Sequence, residues 1–142
     1  MNDSCLFCAH LNSLQLVYED ERTAVALHED WVVRGHAMVI WKAHVENIAQ
    51  LSEPDFTHFA RVYRHAERVL LEVTGADRAV MLKLGIITPH LHVHIYPVSA
   101  SLDRAGVMEI IDGRVRAEVS ESDRTQFVRA VRARLDFRRP PE

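Results

Sequence analysis

The segment from His90 to Tyr96 alternates polar and apolar residues without a break, reading His-Leu-His-Val-His-Ile-Tyr. Successive side chains of a β-strand point to opposite faces of a sheet, so this alternation predicts a strand with three histidines on one face. Leu91, Val93 and Ile95 then point to the other face, where they can pack beneath a helix. The chain is therefore expected to form a sheet with one apolar face and one face rich in imidazole.

A long amphipathic helix is predicted from Ser52 to Gly75. Ser52 is a favoured N-cap, Pro54 and Asp55 suit the first turn, and glycine is a favoured helix end. The intervening apolar residues recur at spacings of three and four, which gives a stripe that faces a core. The stripe consists of Phe56, Phe59, Tyr63, Ala66, Leu70 and Val73.

Further strands are predicted at residues 14–19, 23–28, 37–41 and 78–84, and the first two form a hairpin. The 78–84 strand and the histidine strand are expected to lie side by side at the centre of the sheet. Pro97 is expected to end the histidine strand. An Asp112-Gly113 pair between apolar runs predicts a second tight hairpin.

A terminal helix is predicted to begin near Ser120 or Ser122, with its apolar face at Phe127, Val128 and Val131. The arginines outside that face are interpreted as hydrated surface, namely Arg124, Arg129, Arg132 and Arg134. Strands and two helices in this order predict an α+β domain with a mainly antiparallel sheet, a long helix packed on it and a C-terminal helix.

Length and composition indicate an ordinary globular protein, because 142 residues with 48% hydrophobic and 26% charged side chains suit one domain over residues 1–142. A net charge of −3 disfavours nucleic-acid and anionic-membrane partners. No apolar run approaches the roughly 18 residues of a membrane span, and Met1-Asn2-Asp3-Ser4 lacks the features of a secretory signal. The expected location is therefore the cytoplasm.

Three imidazoles in strict alternation favour a functional site over a merely polar strand face, since histidine serves as nucleophile, acid, base or metal ligand. A catalytic metal held by His90, His92 and His94 is one alternative. The three residues would extend over about 13 Å of straight strand, too far to meet one ion without a ligand from elsewhere.

Cys5 and Cys8 are the two cysteines of the chain and are spaced C-x-x-C. Redox chemistry is disfavoured because the pair precedes the first strand rather than following a strand of a βαβ unit. Two thiolates supply half of a tetrahedral zinc site, which histidines can complete as a closed, structural Cys₂His₂ set. The alternative interpretation is two ordinary small apolar side chains.

With these features together, the sequence resembles the histidine triad (HIT) proteins, whose motif is His-φ-His-φ-His-φ-φ with φ apolar. The match is His90-Leu-His-Val-His-Ile-Tyr96. Upstream, Gly35-His-Ala-Met-Val-Ile-Trp-Lys-Ala-His44-Val resembles the family's Gly-His-x-x-Val-Ile-x-x-x-His-Val block. Cys5-Leu-Phe-Cys8 resembles the N-terminal knuckle of zinc-bearing members. The resemblance spans residues 5–97 and leaves the region after about Ser99 unmatched.

The resemblance implies a HIT-like fold, a homodimer and a structural zinc ion. It implies that His92 is the nucleophile and that His94 contacts phosphate, with His90 completing the catalytic triad. The implied activity is hydrolysis or nucleotidyl transfer at the α-phosphate of a purine nucleotide conjugate, either a phosphoramidate or a dinucleoside polyphosphate, through a covalent nucleotidyl-histidine. The implied zinc ligands are Cys5, Cys8, His44 and His90.

Several positions depart from the family pattern. His28 stands where the family has an Asp for the ribose hydroxyls, with Asp30 as an alternative two residues on. Ile86 and Ile87 replace an Asn and a hydroxyl residue that contact phosphate. Two sources of compensation are open, the Thr88 side chain or the backbone N–H groups of residues 85–88. These departures motivate a second hypothesis, a catalytically weak or inactive nucleotide-binding protein on the same fold.

Overall fold

Five strands form one antiparallel sheet in this computed structural model, which describes residues 4–136 of the chain. The order across the sheet is β1-β2-β3-β5-β4, and every neighbouring pair is antiparallel. The strands are β1 (Gln15–Glu19), β2 (Thr23–Leu27), β3 (Ala37–Trp41), β4 (Arg78–Leu82) and β5 (His92–Val98). The predicted domain over 1–142 includes residues 1–3 and 137–142, which lie outside the described part.

Four α-helices accompany the sheet: α1 (Leu6–Ala9), α2 (Glu53–Thr74), α3 (Arg104–Ile111) and α4 (Glu121–Arg134). Short 3₁₀ turns lie at Leu11–Ser13 and Ile48–Gln50. The α+β prediction is confirmed, with a long helix on an antiparallel sheet and a C-terminal helix. None of the helices in the described part of the chain has both the length and the apolar character needed to cross a membrane.

Helix α2 begins and ends where its sequence predicts. The Ser52 hydroxyl accepts a hydrogen bond from the Asp55 amide at 3.2 Å, and Gly75 ends the helix in the left-handed region with φ 72°. The predicted stripe is wrong at Phe56, which is 46% exposed. The surface that covers the sheet begins one turn later, at Phe59.

The main core lies between one face of the sheet and helices α2 and α4. Leu91, Val93 and Ile95 are buried in it, as the alternation of the histidine strand predicts. Trp41 is also buried there and packs edge-on against Phe59, with ring centroids 6.3 Å apart. The opposite face of the sheet is thereby left to carry the histidines.

The predicted hairpin at Asp112-Gly113 is wrong, because residues 104–111 form helix α3. The Asp103 side chain caps this helix by accepting from the Gly106 amide at 2.9 Å. Gly113, with φ 70°, is the left-handed residue that follows the helix. The Arg114 amide donates to the Glu109 carbonyl and the Gly113 amide to the Ile110 carbonyl, the two hydrogen bonds of a Schellman motif.

Two details of the histidine strand also differ from prediction. Strand β5 begins at His92, so His90 precedes it, and it continues through Pro97 to Val98. Proline is tolerated at position 97 because the pairing with β3 stops at Ile95, which leaves no ladder on that side. Strand β4 is adjacent to β5, as predicted, but it is an edge strand rather than a central one.

Helix α4 begins after Ser120, whose hydroxyl accepts from the Asp123 amide at 3.1 Å. The interpretation of its arginines as merely hydrated surface is wrong for two of them. Arg132 donates to the Leu16 carbonyl on edge strand β1, with Nη2 at 2.8 Å, and Arg124 binds carbonyls at the end of β2. These hydrogen bonds attach α4 to the β1–β2 hairpin.

Candidate active site and metal centre

An open cavity of about 780 Å³ lies on the imidazole face of the sheet. Volumes of this size are typical of small-molecule sites. His92 and His94 line it from strand β5, and His28 and Thr88 line its margins. Much of the remaining wall is apolar, with contributions from Leu6, Phe7, Leu14, Leu27, Met38 and Ile86. The cavity therefore combines a few imidazoles with an extended apolar surface.

The His92 side chain is oriented by a backbone hydrogen bond within its own segment. Its Nδ1 lies 2.7 Å from the His90 carbonyl oxygen, which can only accept, so this nitrogen carries the proton. Burial lowers the pKa of His92, which keeps the ring neutral. In a neutral ring protonated at Nδ1, Nε2 holds a free electron pair. His92 is thus prepared to act as a nucleophile or base through Nε2.

Phe7 packs against two of the histidines. Its ring centroid lies 4.7 Å from that of His92 and 5.5 Å from that of His90, where the contact is edge-on. The side chain is 4% exposed, and it belongs to helix α1, which follows directly on Cys5. The N-terminal turn therefore forms part of the surroundings of His92.

His94 continues the line of imidazoles toward His36 and His28. His94 Nδ1 lies 2.9 Å from His36 Nε2, so a hydrogen bond joins these two nitrogens and leaves Nε2 of His94 for the cavity. The His36 ring stacks on His28 at 4.4 Å and on Tyr96 at 4.3 Å. Burial, with repulsion from His92 and His28, lowers the pKa of His94 to about 4. His94 is therefore uncharged near neutral pH.

His28 lies immediately after β2, at the edge of the cavity. Its Nδ1 is 2.9 Å from the Asp30 carbonyl oxygen and 3.2 Å from the Asp30 amide nitrogen. Both contacts use Nδ1, which leaves Nε2 free to form a hydrogen bond with a ligand. Asp30 itself does not line the cavity; its carboxylate pairs with Arg116 at 3.1 Å and is well exposed. Asp30 is thus not positioned to replace His28.

A second constellation lies beside the cavity and consists of Cys5, Cys8, His44 and His90. The two cysteines are three residues apart on the helical turn α1, which places both sulfurs on one side. His44 lies beyond the end of β3. The Leu91 amide donates to the Val45 carbonyl at 2.7 Å, which brings the loop carrying His44 against the start of the histidine strand. Three segments that are distant in sequence therefore meet at this point.

The four donor atoms all lie within 4.8 Å of one another. Cys5 Sγ is 3.3 Å from His90 Nδ1, Cys8 Sγ is 3.3 Å from His44 Nδ1, and the two Nδ1 atoms are 3.1 Å apart. Ligand bonds of about 2.0 Å for nitrogen and 2.3 Å for sulfur give tetrahedral edges of roughly 3.3–3.8 Å, close to these separations. The donor set and spacing are those of a closed structural zinc site.

His90 is also in the tautomer that a metal requires. Its Nε2 lies 2.5 Å from the Trp41 carbonyl oxygen and donates to it, which leaves the electron pair of Nδ1 directed at the cysteines and His44. Burial lowers the pKa of His90, which also favours the neutral ligand form. The cluster includes His90 but neither His92 nor His94, so the alternative of one catalytic metal held by all three is wrong.

Sequence reasoning missed two contributors to the cavity. The only sequence signal for Phe7 is its position between the two cysteines, because a residue inside a metal knuckle lies close to the metal ligands. Arg124 reaches the cavity from helix α4 and carries no sequence signal at all, because it is one of several arginines in a charge-rich helix.

Ile86 and Ile87, which replace two polar residues of the family pattern, both border the cavity. Their side chains are 78% and 97% exposed.

Comparison with known proteins gives consistent matches. The HIT domain family profile matches residues 11–100. Protein hit from Bacillus subtilis (strain 168) is 28% identical over 110 residues, covering 67% of this chain and 71% of that protein. The crystal structure of a hypothetical histidine triad nucleotide-binding protein from Sulfolobus tokodaii strain7 has a TM-score of 0.72 and 26% identity, covering 93% of this chain and 92% of that one. A zinc-bound histidine triad family protein from Mycobacterium smegmatis has a TM-score of 0.65 and 24% identity, with 93% of each chain covered.

Proposed function

The chain belongs to the HIT domain family, and from this premise we propose that it is an enzyme that acts at the α-phosphate of a purine nucleotide conjugate. Both a nucleotide phosphoramidate and a dinucleoside polyphosphate contain the required activated phosphorus. The observation that carries the proposal is the 2.7 Å contact of His92 Nδ1 with the His90 carbonyl, made inside a cavity of nucleotide size. This contact supports a nucleophilic role for Nε2 of His92.

In the proposed first step, His92 Nε2 forms a bond to the α-phosphorus while the bond from phosphorus to the leaving nitrogen or oxygen breaks. The bonding electrons depart with the leaving group, which takes up a proton from solvent. In the second step, water or another acceptor attacks the phosphorus and releases a proton to solvent, the nitrogen–phosphorus bond breaks, and neutral His92 is regenerated. Hydrolysis therefore yields the nucleoside monophosphate and the free leaving group.

His94 is proposed to bind the phosphate that reacts. Its ring centroid is 5.1 Å from that of His92, and both side chains line the same cavity. The hydrogen bond between His94 Nδ1 and His36 leaves Nε2 to meet a phosphate oxygen. A neighbouring donor of this kind stabilises the charge that develops on the phosphoryl oxygens in the transition state. His90 contributes through its carbonyl, which orients His92.

The nucleoside is proposed to occupy the apolar part of the cavity. Leu27 and Met38 offer a surface on which a purine can pack, and His28 lines the same cavity with Nε2 free to bond ribose hydroxyls. Thr88 lines the cavity close to His90 and is proposed to supply a hydroxyl to the phosphates. His28 stands at the position of the family's ribose-binding Asp, and Thr88 is adjacent to the two isoleucines that replace the family's phosphate contacts.

Zinc is proposed to be a structural cofactor bound by Cys5, Cys8, His44 and His90. Four protein ligands close the coordination sphere, so the ion has no open position for substrate. When bound, zinc fixes the N-terminal turn on the sheet, and with it the Phe7 ring against His92. The residues that contact substrate remain His92, His94, His28 and Thr88.

A homodimer is proposed as the assembly state, because members of the family commonly dimerise. Sedimentation equilibrium on the zinc-loaded protein tests this directly. A mass near twice 16.3 kDa agrees with a dimer, and a mass near 16.3 kDa rejects it.

The second hypothesis is a nucleotide-binding protein with weak or absent turnover. It is favoured by Ile86 and Ile87, whose exposed apolar side chains give phosphates no hydrogen bond, and by His28 at the ribose position. Under this hypothesis, the cavity and His92 are retained while the contacts that stabilise the transition state are too few.

The test is hydrolysis of adenosine and guanosine phosphoramidates and dinucleoside polyphosphates by the wild type and by His92→Ala, at equal folded concentration. We expect the substitution to lower turnover by at least about a thousandfold, as loss of a covalent nucleophile does. His65→Ala, at a half-buried histidine of helix α2 that does not line the cavity, serves as the matched control. Nucleotide binding by the wild type without turnover would support the binding-protein hypothesis instead.

A further inference from the structure

One wall of the cavity lies beyond the residues that the family profile matches. The family profile ends at residue 100, yet Arg124 of helix α4 borders the same cavity as His92 and His28. Its guanidinium group makes three hydrogen bonds to strand β1 and to the segment that follows strand β2. Nη2 donates to the His28 carbonyl at 2.6 Å, Nη1 to the Glu29 carbonyl at 3.2 Å, and Nε to Gln15 Oε1 at 2.9 Å.

The guanidinium is itself held in a fixed position. It lies over the ring of Trp31, with its central carbon 4.5 Å from the ring centroid. Trp31 is 4% exposed and packs edge-on against Phe127 of α4 at 4.9 Å. A planar guanidinium that stacks on an aromatic ring while donating from three nitrogens has little freedom to move. Arg124 is thus a rigid connection between α4 and the segment after β2.

That segment carries His28, and its conformation depends on two opposing hydrogen bonds. The His28 amide donates to the His36 carbonyl at 2.9 Å, and the His28 carbonyl accepts from Arg124. The His28 ring lies flat on His36, with an interplanar angle of 11°. Strand β2 ends at Leu27, so regular strand pairing does not extend to His28. The Arg124 contact therefore fixes one side of the backbone that presents this ring.

We propose that Arg124 is a positioning residue that determines specificity for the ribose, by holding His28 where its Nε2 meets the ribose hydroxyls of a bound nucleotide. The inference rests on the proposed function, which assigns the ribose contact to His28. It adds that ribose recognition depends on a side chain outside the family domain. A direct contact of Arg124 with the phosphates is the competing role, because this cationic group also borders the cavity.

The experiment compares the dissociation constants of adenosine monophosphate and its 2′,3′-dideoxy analogue, measured by calorimetry on the zinc-loaded protein. The wild type is expected to prefer the ribonucleotide, and His28→Ala to lose that preference. Arg124→Gln is expected to weaken ribonucleotide binding about tenfold, the scale of one hydrogen bond to ligand, while changing dideoxynucleotide binding less than about twofold. The double variant, with His28→Ala and Arg124→Gln combined, should lose no more of the preference for the ribonucleotide than either single variant loses.

Arg132→Gln is the matched control, because Arg132 also lies on α4 and also donates to a backbone carbonyl. Its acceptor is the carbonyl of Leu16 rather than that of His28. Arg132→Gln should keep the wild-type preference. Arg124→Lys retains the charge yet cannot span two carbonyls, so it should behave like Arg124→Gln. It also provides a milder substitution if Arg124→Gln does not fold.

The outcomes separate the two proposals. Equal weakening of both nucleotides by Arg124→Gln would indicate direct phosphate binding and overturn the positioning role. Unchanged affinity of Arg124→Gln for both nucleotides would also overturn the positioning role, without indicating phosphate binding, and would leave the proposed function intact. If the wild type binds neither nucleotide, the proposed function and this inference both fail.

Discussion

Phe7 lies in contact with His92, their ring centroids 4.7 Å apart and their planes inclined by 53°. Phe7 is held by the turn whose cysteines belong to the metal cluster, and His92 is the proposed nucleophile. The stability of the metal centre and the orientation of the reacting imidazole are therefore connected through one aromatic side chain. This connection gives the first two predictions.

Phe7→Leu should lower kcat about tenfold and change KM less, because the smaller side chain no longer holds the His92 ring in the orientation needed for attack. Zinc content and the thermal midpoint should stay near the wild-type values. Leu11→Ala, at a partly buried position of the following 3₁₀ turn that does not line the cavity, is the control and should keep most of kcat. Steady-state kinetics with a nucleotide phosphoramidate measures both. Wild-type kcat in Phe7→Leu would contradict the proposed contact.

Cys8→Ser should release zinc and lower the free energy of unfolding by about 3 kcal/mol, which corresponds to a fall of roughly 10 °C in the thermal midpoint. Activity per folded molecule should fall by a smaller factor, since the metal has no open position. Metal analysis and calorimetry check the two parts. His10→Ala, at an exposed residue beside the same turn, should change neither. Equal stability of the zinc-free and zinc-loaded wild type would reject the structural site.

Stability should decrease as the pH falls from about 6.5 to about 4. Burial, with repulsion from His92 and His28, lowers the pKa of His94 from 6.5 to about 4 in the folded state. Within this range the unfolded chain binds a proton at His94 that the folded protein does not, so acid favours unfolding by at most about 1.4 kcal/mol per pH unit. Burial lowers the pKa of His36 in the same direction.

Urea unfolding at several pH values tests this prediction. His94→Asn should show a shallower dependence on pH than the wild type, whereas His10→Asn, at an exposed site outside the cavity, is the matched control. The zinc ligands are the same in all three proteins, so any loss of metal in acid contributes equally. A slope in His94→Asn as steep as that of the wild type would show that His94 is not responsible.

Gly35→Ala should destabilise the protein more than Gly75→Ala does. Both glycines have positive φ, 87° and 72°, so both substitutions incur the left-handed penalty of about 1 kcal/mol. A Cβ at position 35 would also lie 2.8 Å from Thr74 Cγ2 and 3.1 Å from Phe127 Cζ, whereas nothing lies within 4 Å of one at position 75. An extra loss of about 1–3 kcal/mol is expected at Gly35. Equal losses in denaturant titrations would contradict it.

The sequence predicted those parts of the fold and site that depend on local patterns. Strand β3 follows from its apolar run, helix α2 from Ser52 and Gly75, and the Cys₂His₂ cluster from the combination of knuckle and family motif. The Asp112-Gly113 pair was ambiguous in principle, because a glycine with positive φ suits both a tight hairpin and the end of a helix.

Features set by tertiary contacts were not predictable in the same way. Alternation places His90, His92 and His94 on one face, but it does not say where strand pairing begins, and pairing with β3 begins at His92. His90 is consequently available to the metal cluster rather than to the cavity. Arg124 gains its position only because α4 packs near the end of β2, a contact between residues 96 positions apart.

Cys5 and His90 are separated by 85 positions, yet their side chains meet in the metal cluster. An ion bound by both would act as a reversible cross-link that closes a loop containing the other four strands and the whole of α2. Closing so long a loop restricts the unfolded chain, as a disulfide does. During synthesis the N-terminal turn must also wait for the histidine strand to leave the ribosome before its last ligand exists. Supply of metal at that moment would govern how soon the cavity gains its Phe7 wall.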